Sequence, residues 1–264
     1  MDLGLHERVA LVTGASKGIG RAVALALGTE GARVAMCARD LATLDAAAAD
    51  IRAKSGAEVF TVAADLSTLE GTVHVTERTR ERFERIDILV NNAGAIRGGD
   101  FLSLPDAQWI TDWNLKLLGY IRMARAVFPI MQAQGGGRIV NVIGAAARNP
   151  TATYLTGGAA NAALVNFTKG LADLGAKSNI LVTAVSPAAT RTERWESLLA
   201  GEAQATGKPV EQLRLEKEGA YPLGRIVLPE EIADLVCFLA SARASFLTGI
   251  CITVDGGSTR GVYP

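Results

Sequence analysis

A run of β-branched and apolar residues, Val9–Thr13, passes directly into Gly14-Ala15-Ser16-Lys17-Gly18-Ile19-Gly20 and then into a helical pattern. Glycines at 14, 18 and 20 permit a tight turn and let main-chain N–H groups approach an anion, whose charge the amino end of the following helix favours. Glycines alone would say little. Between a strand and a helix at the start of a chain, they predict a dinucleotide pyrophosphate site held by Gly14, Ser16, Lys17, Gly18, Ile19 and Gly20.

The same alternation continues along the chain. Apolar runs at 33–38, 58–63, 87–91, 138–143, 180–186 and 250–254 are separated by helical patterns near 18–29, 41–54, 68–84, 106–133, 153–176 and 229–240. The runs are continuously apolar rather than alternating, as in parallel strands buried on both faces. A doubly wound α/β Rossmann fold follows, with a seven-stranded parallel sheet flanked by helices in a single domain over 1–264. With 49% apolar and 20% charged residues, the chain can fill so large a core. Residues 191–221 break the rhythm with many charges around Trp195, Leu198 and Leu199, and are expected to form a helical lid over a substrate.

Other classes of function are disfavoured. Lys+Arg and Asp+Glu both number 27, and no basic stripe stands out, so neither nucleic acid nor a membrane surface is expected as a partner. No apolar run approaches the ~18 residues of a membrane span. Cys37, Cys237 and Cys251 lie in apolar runs without metal-ligand spacing, and residues 1–8 lack the apolar core of a signal peptide. Reduced, buried thiols in a cytoplasmic protein without a metal are expected. His6 and His74, the two histidines, read as surface residues, and Trp109 and Trp113 as packing in the core or an interface.

The spacing Thr13-Gly14-x-x-x-Gly18-x-Gly20 resembles the short-chain dehydrogenase/reductase family, and the likeness extends along the chain. Asp65-Leu66 is similar to that family's adenine contact and Asn91-Asn92-Ala93-Gly94 to its motif after the fourth strand. Asn114 matches a helix asparagine that holds a water in the proton relay. Ser186-Pro187 resembles the turn beside the nicotinamide, with Ala188 in place of glycine and Thr192 at the usual threonine, and Asp255-Gly256-Gly257 closes the match. The resemblance implies a nicotinamide-dependent oxidoreductase contacting its cofactor through Asp65, Leu66, Asn92, Ala93, Gly94, Pro187 and Thr192. It also implies a homo-oligomer, most often a tetramer and otherwise a dimer, built on the long helices after the fourth and fifth strands.

An acidic residue at the end of the second strand normally binds the ribose 2′-hydroxyl of NAD. Ala38 stands there, followed by Arg39, with Lys17 in the glycine loop. Two cations without the acid suit the 2′-phosphate of NADP(H). NAD(H) is the less favoured cofactor, and would need Asp40 to reach the ribose instead.

The family resembled uses Ser, Tyr and Lys, the last two spaced Tyr-x-x-x-Lys. Anchored on 138–142 before and on Ala162-Ala163-Leu164 after, those positions fall on Gly144, Gly157 and Asn161. A positioned general acid is worth about 10²–10⁴ in rate, so three readings compete. Displaced groups, Asn114, Tyr154 and Asn161, could sustain reduction of a carbonyl or imine, or oxidation of an alcohol, with Tyr154 as the acid about one helical turn before Gly157. The chain could instead be a silent NADP(H)-binding sensor or assembly subunit. Or the pocket could host non-redox chemistry on another small molecule.

Overall fold

The chain lays down β1 (Val9–Thr13), α1 (Gly18–Thr29), β2 (Arg33–Ala38), α2 (Leu41–Ser55), β3 (Val59–Ala63), α3 (Leu69–Phe83) and β4 (Ile88–Asn91). Then follow α4 (Asp106–Ala133), β5 (Gly137–Val142), α5 (Leu155–Gly175), β6 (Ile180–Pro187), α6 (Glu193–Thr206), α7 (Val210–Gly219), α8 (Pro229–Ala240) and β7 (Cys251–Val254). This structure, a computed structural model, describes residues 1–260; of the expected domain, 261–264 lie outside the described residues. The seven strands are parallel in the order β3-β2-β1-β4-β5-β6-β7. The expected doubly wound sheet is present, with each strand boundary within one residue of the sequence reading.

The continuous hydrophobicity of the strands has a simple cause. Ala10, Val12, Val34, Met36, Val90 and Val140 feed a core shared with α1, α2 and α8. Their neighbours Leu11, Ala35, Cys37, Leu89 and Ile139 feed a second core on the opposite face, under α3, α4 and α5. Successive side chains point to opposite faces, and both faces here are dry. Helix ends follow local chemistry: Asp40 caps α2 by accepting from the Thr43 N–H at 2.8 Å, and Thr68 caps α3 from the Gly71 N–H at 3.0 Å.

Strand order reverses between β1 and β4, which opens a crevice at their carboxyl ends. A buried polar chain fixes the next corner. Asn91 Nδ2 donates to Asn141 Oδ1 at 3.0 Å, Asn141 Nδ2 to Thr168 Oγ1 at 3.0 Å, and the Thr168 hydroxyl to the Leu164 carbonyl at 2.7 Å. These bonds cross from β4 to β5 to α5, and so set the height of α5 above the sheet. Gly157, Asn161, Leu164 and Thr168 form one buried stripe of that helix.

Segment 191–221 folds as α6 and α7, with a small core of its own made by Trp195, Leu199, Leu213 and Ile226. One expectation needs correcting. Cys251 is only half-buried, because it lies on the edge strand β7, whereas Cys37 and Cys237 are buried as expected. Trp109 and Trp113 are half-buried and meet edge to face, with ring centroids 5.5 Å apart. Rather than joining the main cores, Trp113 donates its indole N–H to the Thr156 carbonyl at 3.0 Å and ties α4 to the start of α5.

Candidate active site

The glycine loop is built by contact across the β1–β4 reversal. Thr13 Oγ1 accepts the Asn92 N–H at 2.9 Å and the Ala93 N–H at 3.1 Å, and lies 3.2 Å from the Val90 carbonyl, to which it donates. Asn92 Nδ2 donates to the carbonyls of Thr13 at 3.0 Å and Gly14 at 3.2 Å. Gly14 turns at φ +66°, and a Cβ there would stand 2.9 Å from the Ala93 Cα. A Cβ on Gly20 would collide with the Gly14 carbonyl. Helix and loop therefore approach as closely as main chain allows. Asn92 holds the loop from behind rather than lining the groove in front of it.

That groove, about 280 Å³, is lined by Gly14, Ser16, Lys17, Ala38, Arg39, Asp40, Thr43, Leu66, Ala93 and Gly94, among others. Whether it fits a dinucleotide phosphate is decided by its donors. The first turn of α1 has neither a side-chain cap nor an acidic residue, so its N–H groups and dipole face the loop uncompensated. Lys17 and Arg39 add two cations. Asp40 is committed elsewhere: its carboxylate caps α2, and Thr43, through its hydroxyl and N–H, holds the carboxyl below its ordinary range, helped by Lys17. The residues fit an anionic ribose-phosphate.

Not every residue expected at the cofactor faces the groove. Asp65 Oδ1 accepts the Ser67 N–H at 3.0 Å within its own turn, and Leu66 is the member of that pair on the groove wall. Thr192 caps α6 by accepting the Trp195 N–H at 3.3 Å, and its methyl would meet a Cβ on Gly18 at 3.1 Å. Ile19 and Gly20 lie in α1, and Pro187 ends β6.

Farther along the carboxyl edge, Gly144 follows β5 and faces α5: a Cβ there would stand 2.9 Å from Asn161 Nδ2. Asn161 is 3% exposed and its Oδ1 has no hydrogen-bond partner. Tyr154, three residues before Gly157, ends a short 3₁₀ turn, Ala152–Tyr154, and occupies the N-cap of α5. Its ring folds back over Gly157, so that a Cβ on Gly157 would fall inside the ring. Burial pushes the Tyr154 phenol up, Arg194 works against that, and Asp112 adds to it.

Hydrogen bonds tie together the segments around Tyr154, which is half-buried. The Gly99 N–H donates to the Thr153 carbonyl at 2.9 Å, and Arg194 Nη2 on α6 donates to the Ile96 carbonyl at 2.6 Å. Asp112 Oδ2 accepts the Arg97 N–H at 3.2 Å. Asn114 lies outside these bonds: Arg122 donates to its carbonyl at 3.2 Å and its Oδ1 at 3.4 Å, and to the Ser67 carbonyl at 2.8 Å. The sequence reading passed over Asp112, Lys116, Tyr120, Arg122 and Arg194. Their signal was present, because Lys116 interrupts Leu115-Lys116-Leu117-Leu118 with Asp112 and Tyr120 four residues to either side.

A glycine loop at a strand-order reversal, with cations beyond it, defines a dinucleotide-binding α/β protein. The short chain dehydrogenase model matches residues 8–203, and the chain belongs to that family of oxidoreductases. It is 35% identical over 255 residues to a 3-oxoacyl-[acyl-carrier-protein] reductase of Synechocystis sp., covering 96% of this chain and 97% of that one. Among solved structures it is similar to L-sorbose reductase from Gluconobacter frateurii, complexed with NADPH and L-sorbose, at TM-score 0.96 and 34% identity, covering 99% and 100% of the two chains. An actinorhodin polyketide ketoreductase with NADPH superposes at TM-score 0.93 and 31% identity, covering 97% and 98%. Among the described residues no helix is long and apolar enough to cross a membrane, and no His/Cys/Asp/Glu group could hold a metal ion.

Proposed function

We propose that the chain is an NADP(H)-dependent oxidoreductase acting on a small carbonyl, alcohol or imine, with a rearranged active site in place of the usual Ser, Tyr and Lys. The observation that carries the cofactor choice is the mouth of the groove. Lys17 and Arg39 are offered to a 2′-phosphate, while the one nearby carboxylate, Asp40, is spent on capping α2. NADPH in the similar sorbose reductase and ketoreductase supports the same reading.

The nicotinamide of such a cofactor, when bound, supplies or accepts a hydride. The chain's part is to bind, to orient and to move a proton. Tyr154 is the proton donor for reduction: its phenol, pushed up from the ordinary tyrosine value by burial, carries its proton at neutral pH, and the side-chain-free surface of Gly157 gives its ring a place over α5. Asn161, with its free Oδ1, accepts a hydroxyl of the ribose or substrate. Arg194 anchors the first turn of α6 to the loop after β4, and α6 with α7 forms the lid over the substrate. Exposed Ile110, Leu118, Leu155 and Leu174 on α4 and α5 support association with further copies of the chain.

Fluorescence titration with NADPH and NADH, followed by a panel of carbonyls and imines, tests this reading. NADPH is expected to bind more tightly than NADH and to be consumed with at least one substrate class. Equal or stronger binding of NADH would overturn the cofactor choice, and binding without turnover across the panel would leave a silent nucleotide-binding protein.

A further inference from the structure

Helix α4 carries a lysine where packing alone asks for an apolar residue. Lys116 lies on the face turned to the sheet and is 8% exposed. Its Nζ donates to the Val142 carbonyl at 2.7 Å, the Ile143 carbonyl at 3.2 Å and Tyr120 Oη at 2.8 Å. Tyr120, itself 1% exposed, passes its hydroxyl proton toward the same Val142 carbonyl at 2.8 Å. All three ammonium donors are placed, yet no carboxylate is among the acceptors. A buried charge without a counter-ion is costly, and methionine or leucine would fill this volume without that cost.

The amine lies under the site. A Cβ on Gly94 would stand 2.7 Å from Lys116 Cδ and 3.4 Å from Nζ, so the lysine stem runs directly beneath the end of β4. Val142 and Ile143, which hold the ammonium, lead straight into Gly144 opposite Asn161. The titratable and charged groups around it come from three elements. Asp112 and Tyr120 are on α4, Tyr154 is in the turn before α5, and Arg194 is on α6. Arg194 acts electrostatically on both Lys116 and Tyr154, and Tyr154 acts on Tyr120. These groups form one neighbourhood.

We propose that Lys116 is a positioning residue of this site: a cation delivered from α4 beneath Gly94 and Gly144, which replaces the one missing at position 161 and sets the acidity of Tyr154 through its charge. Burial, and after it Arg194, hold the ammonium down to about 7, so the charge is lost as the pH rises through neutrality. With Lys116 charged, Tyr154 is the stronger acid; with Lys116 neutral, it is the weaker. The inference rests on Tyr154 as the proton donor.

The decisive experiment follows carbon-13-labelled lysine and tyrosine side chains by NMR in the cofactor-free protein from mildly acidic to alkaline pH. Lys116→Met and Tyr154→Phe assign the two signals. Lys116 is expected to titrate near neutrality, apart from the other lysines, with the Tyr154 ring signals moving at the same midpoint. Lys116 titrating with the surface lysines, or a Tyr154 ring that stays flat across its midpoint, overturns the inference. In turnover, Lys116→Met is expected to lower kcat, leave KM for NADPH unchanged, and abolish the fall in kcat above neutral pH. An unaltered pH profile would overturn the proposal as well. Should that variant fail to fold, the wild-type titration decides alone, with Tyr154 assigned by its own variant. If turnover is indifferent to Tyr154→Phe, the reading beneath the inference fails; uncoupled titrations remove the role of Lys116 and leave that reading intact.

Discussion

At the β1–β4 reversal, Thr13, Gly14 and Asn92 are joined by short bonds between residues that the motifs place there in contiguous stretches. At the β5–α5 corner, the groups that meet are Tyr154, Asn161, Lys116, Asp112 and Arg194, brought by four separate elements. The first region is made chiefly of main chain, and its side chains serve to fix backbone. The second is made of side chains whose charges depend on one another. Main-chain geometry cannot be exchanged without losing the turn, whereas a proton donor or a cation can be supplied from any element that reaches the spot. Of the two regions, the β5–α5 corner is therefore the one whose side chains can be exchanged while the groove at the glycine loop stays as it is.

Variants that act on one region alone would sharpen this contrast, and variants that act on both would break it. The largest effect is expected from Tyr154→Phe, which removes the proposed proton donor: kcat falls by about 10²–10⁴ while NADPH affinity, read by fluorescence, is unchanged. A parallel loss of binding would mean that the two regions are not separable. Next comes Lys17→Ala with Arg39→Ala. Hydrogen bonds to charged groups are worth about 1.5–3 kcal/mol each, so NADPH binding should weaken at least tenfold with NADH binding unaffected. A matching loss of NADH affinity would move both cations from the 2′-phosphate to the pyrophosphate.

The third prediction concerns stability against pH. Lys116 keeps its proton up to about 10.5 in the unfolded chain but only to about 7 in the folded one. Between those values the unfolded state binds more protons, so stability rises with pH, by about 1.4 kcal/mol per pH unit from this group. Below about 7 the penalty of the buried charge is present in full. Urea melts of wild type and Lys116→Met across that window should differ in slope, and parallel curves would refute the assignment. The smallest effect is expected from Asp40→Ala, which removes a helix cap: a slight loss of stability in urea melts and no change in the NADPH to NADH preference. A shift toward NADPH would show that Asp40 had been competing for the ribose.

The two regions also differ in how far they could be read from sequence. The strands, the glycine loop and the switch-point motif are contiguous patterns whose local geometry is enforced by their own main chain, and they were legible almost to the residue. Lys116 was not. Its meaning depends on the carbonyls of Val142 and Ile143, twenty-six and twenty-seven residues away, and on an arginine in α6. Tyr154 was legible as lying one turn before Gly157, but the place of its ring was not, because the chain enters α5 through a 3₁₀ turn after the extended Thr151, with the ring folded back over Gly157. Asn114 carried a motif match, yet both its oxygens accept from Arg122, a bond that no spacing announces.

The ring of Tyr154 lying on bare Gly157 constrains how such a site can change by descent. A side chain at 157 and the ring in its present place exclude each other, so neither can be gained while the other stays. Any substitution that adds a side chain at 157 must therefore eject the Tyr154 ring from the place it now holds.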